Sequence, residues 1–118
     1  MPRILHLTLK KKWFDMIASG EKKEEYRDIK PHWNRVFTNH WCKWKKSRGE
    51  GGMNAWDIVH FTNGYGKTKP QVELEFVNIR KGIGNPEWGA PKEEVYIIEL
   101  GKILSIKNYT ANEHNGVQ

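Results

Sequence analysis

The chain has 118 residues, enough for a single domain with one modest core. Lysine and arginine number 20 against 14 acidic residues, and the resulting formal charge of +6 favours a polyanionic partner, because each phosphate contact releases condensed counterions. The lone cysteine, Cys42, excludes an internal disulfide framework, and no apolar run approaches the ~20 residues of a membrane span.

The N-terminal Met1-Pro2-Arg3-Ile4 lacks the long apolar stretch and small-residue cleavage site of a signal peptide, and one free thiol suits a reducing compartment. A cytoplasmic location without membrane association is therefore expected. No cofactor or metal is expected either. His32, His40 and Cys42 lie close together, but their spacing matches no zinc pattern and supplies no fourth ligand.

In chain order, Ile4 to Leu9 alternates and predicts a first strand. Trp13, Phe14, Ile17 and Ala18 then recur at helical spacing and stop at Gly20, which predicts a short helix ended by a left-handed glycine. Glu21 to Asp28 is unusually charged for a strand. If extended, it turns Tyr26 towards a core and places Glu25 and Arg27 together on the opposite face. Pro31 suits the first turn of a second helix, along which Trp33, Val36, Phe37, Trp41 and Trp44 form an apolar stripe. Ser47 to Asn54 reads as a glycine-rich loop.

Three more strands are expected: Asp57 to Thr62, a second around Val72, Leu74 and Phe76, and Glu94 to Leu104 with room to continue past Gly101. Gly and Pro mark the connectors at Asn63 to Gly66 and Lys81 to Lys92. The domain is expected to occupy residues 1–107, and the polar residues 108–118 to form a frayed tail. Five strands, one or two early helices and no βαβ rhythm predict an α+β fold built on a small five- to six-stranded, partly open β-barrel.

The stretch Gly20-Glu21-Lys22-Lys23-Glu24-Glu25-Tyr26-Arg27 carries most of the chemistry. A tight turn at Gly20 projects Lys22 near the mouth of the sheet, with Glu25 and Arg27 rising beside it. Lysine and arginine meet phosphate there, arginine through two parallel bonds. The carboxylate accepts a base amine or ribose hydroxyl and keeps the two cations from repelling each other. The same residues on an open strand would be a solvated set of ion pairs, each contributing about 0–1 kcal/mol.

The order Gly-x-Lys-x-x-Glu-x-Arg after a strand and a Trp-Phe helix resembles the signature of the ASCH domain family, which has a PUA-like fold. The match takes in Leu7-Thr8-Leu9, Trp13-Phe14 and Ile17-Ala18-Ser19-Gly20. Later stretches are similar too: Phe61 to Gly66, Glu87-Trp88-Gly89-Ala90 and Tyr96 to Gly101, so that the resemblance spans residues 4–104. It implies a small β-barrel with a helix-lined cleft and a role in binding RNA. It also implies an alternative, since some proteins similar in fold are amidohydrolases that deacetylate N4-acetylcytidine. Their pattern is a lysine, a threonine three residues later and a separate glutamate. Lys22 matches the lysine, whereas Glu25 stands at the threonine position, and a carboxylate is a poor substitute for an alkoxide nucleophile.

Catalysis by Lys22 and Glu25 would have to run differently. Lysine must lose its proton to act as a base, which burial or the nearby Arg27 promotes and Glu25 opposes. Glu25 could instead activate water, with Lys22 or Arg27 stabilising the oxyanion.

Trp33, Trp41 and Trp44 lie on the helical stripe and Trp13 on the first helix's buried face, so these four are expected in the core. Trp88 and Tyr65 fall in non-periodic loops and, with the neighbouring Asn63, are candidates to line the cleft. Between Ile29 and Gly49 there are six basic and no acidic residues, and Lys45, Lys46 and Arg48 run into the glycine-rich loop as candidates for tracking a phosphate backbone. The expected partner is RNA or a nucleoside or nucleotide, with DNA also open. A weaker alternative is a protein-interaction domain that docks through an exposed tryptophan stripe.

Overall fold

The computed structural model describes residues 2–37, 56–64 and 68–109. Strand β1 (Ile4–Thr8) leads into helix α1 (Lys11–Ala18), followed by the four-residue strand β2 (Glu24–Arg27). Helix α2 is described over residues 31–37. Strands β3 (Ile58–Thr62), β4 (Gln71–Gly82) and β5 (Val95–Lys107) complete the sheet, with a short 3-10 turn at Pro86–Trp88 before β5.

The five strands form one curled sheet in the order β1-β3-β4-β5-β2, the partly open barrel expected of the sequence. The pair β1–β3 is parallel, with Ile4 opposite Ile58 and Thr8 opposite Thr62, and the other pairs are antiparallel. Both β4 and β5 run longer than their apolar patterns: β4 continues to Gly82 and β5 through Gly101 to Lys107. Three register shifts between Glu73 and Asn78 bend this long pair, as bulges do.

Alternation along β5 explains its continuous apolar run. Tyr96 and Ile98 face the main core with Leu5, Leu7, Phe14, Ile17 and Phe61, whereas Val95 and Ile97 face a smaller cluster with Tyr26 and Ala90. Phe14 and Ile17 of α1 are fully buried against the sheet, and Phe37 of α2 stacks on Trp33 and meets the buried Trp56 and Tyr96 rings edge-on.

Strands β1 and β2 are the two edges, so the barrel's open seam lies between them. Beyond β5, the Tyr109 ring meets the edge of Phe14 at 5.4 Å between centroids. Trp41 and Trp44 lie outside the described residues. Among the described residues no helix is long and apolar enough to cross a membrane.

Candidate functional site

The site begins with the way α1 stops. Gly20 takes φ = +89°, and the chain turns so that the Lys22 N–H donates to the Met16 carbonyl at 2.9 Å, satisfying an orphan helix acceptor. That turn sends the Lys22 side chain under the Trp13 and Tyr26 rings, with Nζ 5.6 and 4.6 Å from their centroids. Its side chain is 0% exposed. Nζ donates to the Trp88 carbonyl at 2.6 Å and lies 3.2 Å from Glu25 Oε1.

On β2, Glu25 sits opposite Ile98 and Arg27 opposite Tyr96, which puts both side chains on the main-core face at the open seam. The other carboxylate oxygen of Glu25, Oε2, is 3.2 Å from Arg27 Nη2. The same Nη2 donates to the Thr8 carbonyl at 2.9 Å, and the guanidinium carbon lies 5.2 Å from the centre of the Trp33 ring. A continuous polar chain thus runs from Trp88 through Lys22, Glu25 and Arg27 to Thr8. It ties β2 to the end of β1 across the seam that no backbone ladder closes.

Tyr26 and Glu24 take the opposite face. The Tyr26 hydroxyl donates to Glu24 Oε1 at 2.7 Å and accepts from the Asn85 N–H at 3.0 Å, which anchors the segment before Trp88. Tyr26 therefore faces a core as expected, but the smaller one.

Electrostatically the site is a compromise. Burial holds the Lys22 ammonium below its ordinary pKa, opposed by the adjacent Glu25 and reinforced by Arg27. Burial also pushes the Tyr26 hydroxyl up to about 12. One carboxylate is shared by two cations.

Over this chain opens a cleft of about 650 Å³, within the usual range of small-ligand sites. Glu25 and Arg27 form its polar floor, and the rings of Trp13, Trp33 and Trp88 stand in its walls beside Thr8, Asp28 and Gly89. Lys22 is not part of the lining; it sits behind Glu25. Of the sequence candidates, the structure brings Glu25, Arg27 and Trp88 to the cleft and Lys22 directly beneath it. Asn63 instead braces the β3–β4 turn: its Nδ2 donates to the Leu9 carbonyl at 3.0 Å, and Gly64 next to it reaches the wall. Tyr65, Lys45, Lys46 and Arg48 lie outside the described residues.

Two wall residues were expected only as core. Trp33 does both jobs, packing against the main core while its ring carries Arg27. Trp13 is partly buried and contributes to the cleft. The signal for both is position: each stands in the first turn of a helix that begins at the rim of the seam. Thr8 shows no sign of a site role in the strand pattern, and its carbonyl is the far anchor of the polar chain.

Neither family models, nor curated proteins, nor solved structures match this chain. Among the described residues no group of three or more His, Cys, Asp or Glu side chains is placed to hold a metal ion. His40 and Cys42 lie outside the described residues.

Proposed function

We propose that the cleft binds a nucleotide or a segment of RNA, as the likeness of Gly20 to Arg27 to the ASCH signature implies. The observation that carries this reading is the Glu25–Arg27 pair on the floor of a cleft walled by three indole rings. Base–aromatic stacking contributes about 1–3 kcal/mol per base, and a carboxylate next to a guanidinium supplies both an acceptor and donors for a base edge or a sugar. The basic balance of the chain adds long-range attraction to phosphates. A panel of single-stranded and structured RNAs at low salt tests it. Binding is expected to weaken as salt rises and to fall when Arg27 becomes Ala. Identical binding of wild type and Arg27→Ala across the panel would rule the cleft out as the site.

The second reading, hydrolysis of a modified nucleoside such as N4-acetylcytidine, draws on one observation: burial lowers the Lys22 pKa, as a general base requires. Against it, the ammonium is enclosed by the Trp88 carbonyl and Glu25, and the position three residues after Lys22 carries no hydroxyl. Incubation with N4-acetylcytidine separates the two. Absence of turnover, or turnover unaffected by Lys22→Ala, removes this reading.

A further inference from the structure

A second, smaller chamber of about 320 Å³ shares Thr8, Arg27 and Trp33 with the cleft, so those three residues form a common wall. Its remaining polar lining is His6, His32 and Thr62. The parallel register of β1 and β3 creates this arrangement. Leu5, Leu7, Val59 and Phe61 turn into the core, which leaves His6, Thr8, His60 and Thr62 on the outer face, with His6 opposite His60 and Thr8 opposite Thr62. His32 comes from the first turn of α2, its ring edge-on to Trp33 at 4.5 Å.

The two chambers differ in charge. Among the described residues, the cleft is lined by Lys10 and Arg27 together with the carboxylates Glu25 and Asp28, whereas the second chamber has no carboxylate in its lining and six side chains able to donate hydrogen bonds. Glu73, opposite His60 on β4, is engaged by His60 Nδ1 at 2.7 Å, and the His60 ring lies 5.1 Å from that of His6. Arg27 supplies the charge of the shared wall, its Nη2 held by Thr8 and Glu25.

We infer that the second chamber is a phosphate subsite, holding the phosphate of a nucleotide whose base lies in the cleft on the far side of Arg27. The inference rests on the nucleotide reading above and narrows it: the preferred ligand is phosphorylated, not a free nucleoside. Arg27 stands in the wall common to both chambers, so its positive charge serves base and phosphate alike. His6, His32 and the threonine hydroxyls complete the oxygen-binding set, and among the described residues no carboxylate lines the chamber beside them.

Calorimetric titration of the four ribonucleosides and of their 5′- and 3′-monophosphates tests this on wild type and on His6→Ala/His32→Ala. Both histidines are exposed, so the double substitution leaves the core intact, which circular dichroism checks. Wild type is expected to bind one monophosphate series at least about tenfold more tightly than the nucleosides, and the double variant to lose most of that advantage while keeping its nucleoside affinity. Equal affinity for nucleoside and both monophosphates overturns the subsite but leaves the cleft reading standing. A phosphate advantage untouched by the double substitution places the phosphate elsewhere and also overturns it. If no nucleoside or nucleotide binds, the cleft reading fails, and inorganic phosphate decides the subsite separately. A saturable shift of the His6 and His32 imidazole resonances upholds an anion site, and its absence overturns one.

Discussion

The Lys22 ammonium lies 2.6 Å from the carbonyl oxygen of Trp88, a contact that joins points 66 residues apart and places a cleft residue on top of a buried charge. Lys22 is therefore a foundation of the site more than a hand extended into it. It holds the Trp88 backbone on one side and fixes the Glu25 carboxylate on the other, so that Glu25 presents its second oxygen to Arg27.

That arrangement makes the three members unequal under mutation. Glu25→Gln leaves the enclosed Lys22 ammonium without its counter-charge and is expected to cost about 3–5 kcal/mol. Lys22→Met leaves the buried Glu25 carboxylate still paired with Arg27 and is expected to cost less, about 1–3 kcal/mol from the unsatisfied Trp88 carbonyl. Urea unfolding of the two variants measures the order. A Lys22→Met/Glu25→Leu double variant should regain part of the stability lost by Glu25→Gln, yet still fail to bind, because Arg27 loses its orienting carboxylate.

Alkaline pH separates Lys22 from Tyr26. With Lys22 held below 10.5, the folded state binds fewer protons than the unfolded chain just beneath that value, so this residue makes stability rise with pH there. Tyr26 acts in the opposite sense. Between pH 10 and about 12 the folded state keeps a hydroxyl proton that the unfolded chain has lost, so its contribution falls through that window. Urea midpoints across the alkaline range should show the rise flattened in Lys22→Met and the fall flattened in Tyr26→Phe.

Arg27→Lys preserves charge but removes the planar fork that reaches Thr8 and Glu25 at once and lies over Trp33. Ligand affinity should drop about tenfold with little change in unfolding midpoint. Fluorescence titration of both proteins with the same RNA reads the difference.

Gly89 closes the turn after Trp88 with φ = +99°, and a Cβ added there would come within 3.0 Å of Trp13 Cε2. Gly89→Ala is thus expected to cost about 1–2 kcal/mol from backbone conformation alone. The Trp13 indole resonance should move with it, showing that one wall of the cleft presses on another.

Much of this framework is legible in local sequence. The alternation of Leu5, Leu7 and Leu9 and the spacing of Phe14 and Ile17 report burial directly, and the positive φ at Gly20 follows from the helix that ends there. The adjacency of Glu25 and Arg27 on one face follows from strand periodicity. Long-range relationships are different. The parallel pairing of β1 with β3 and the engagement of Lys22 by Trp88 depend on how distant segments meet, and no residue pattern records that. Likewise the charges of β2 obscure its burial: Glu25 is only 5% exposed because its cations are supplied by its own motif. Trp33 misleads for another reason, since a ring at the end of an apolar stripe can face the core and a cleft together.

The most direct measurement follows the indole N–H resonances of Trp13, Trp33, Trp88 and Trp56 while a short single-stranded RNA is added at low salt. Trp56 is buried in the main core and serves as the reference. Bases entering the seam over the Glu25–Arg27 pair would shift the first three signals in parallel and leave Trp56 still. Saturating RNA that leaves the Trp13, Trp33 and Trp88 signals unmoved would mean that the hollow between β1 and β2 is not where nucleic acid is held.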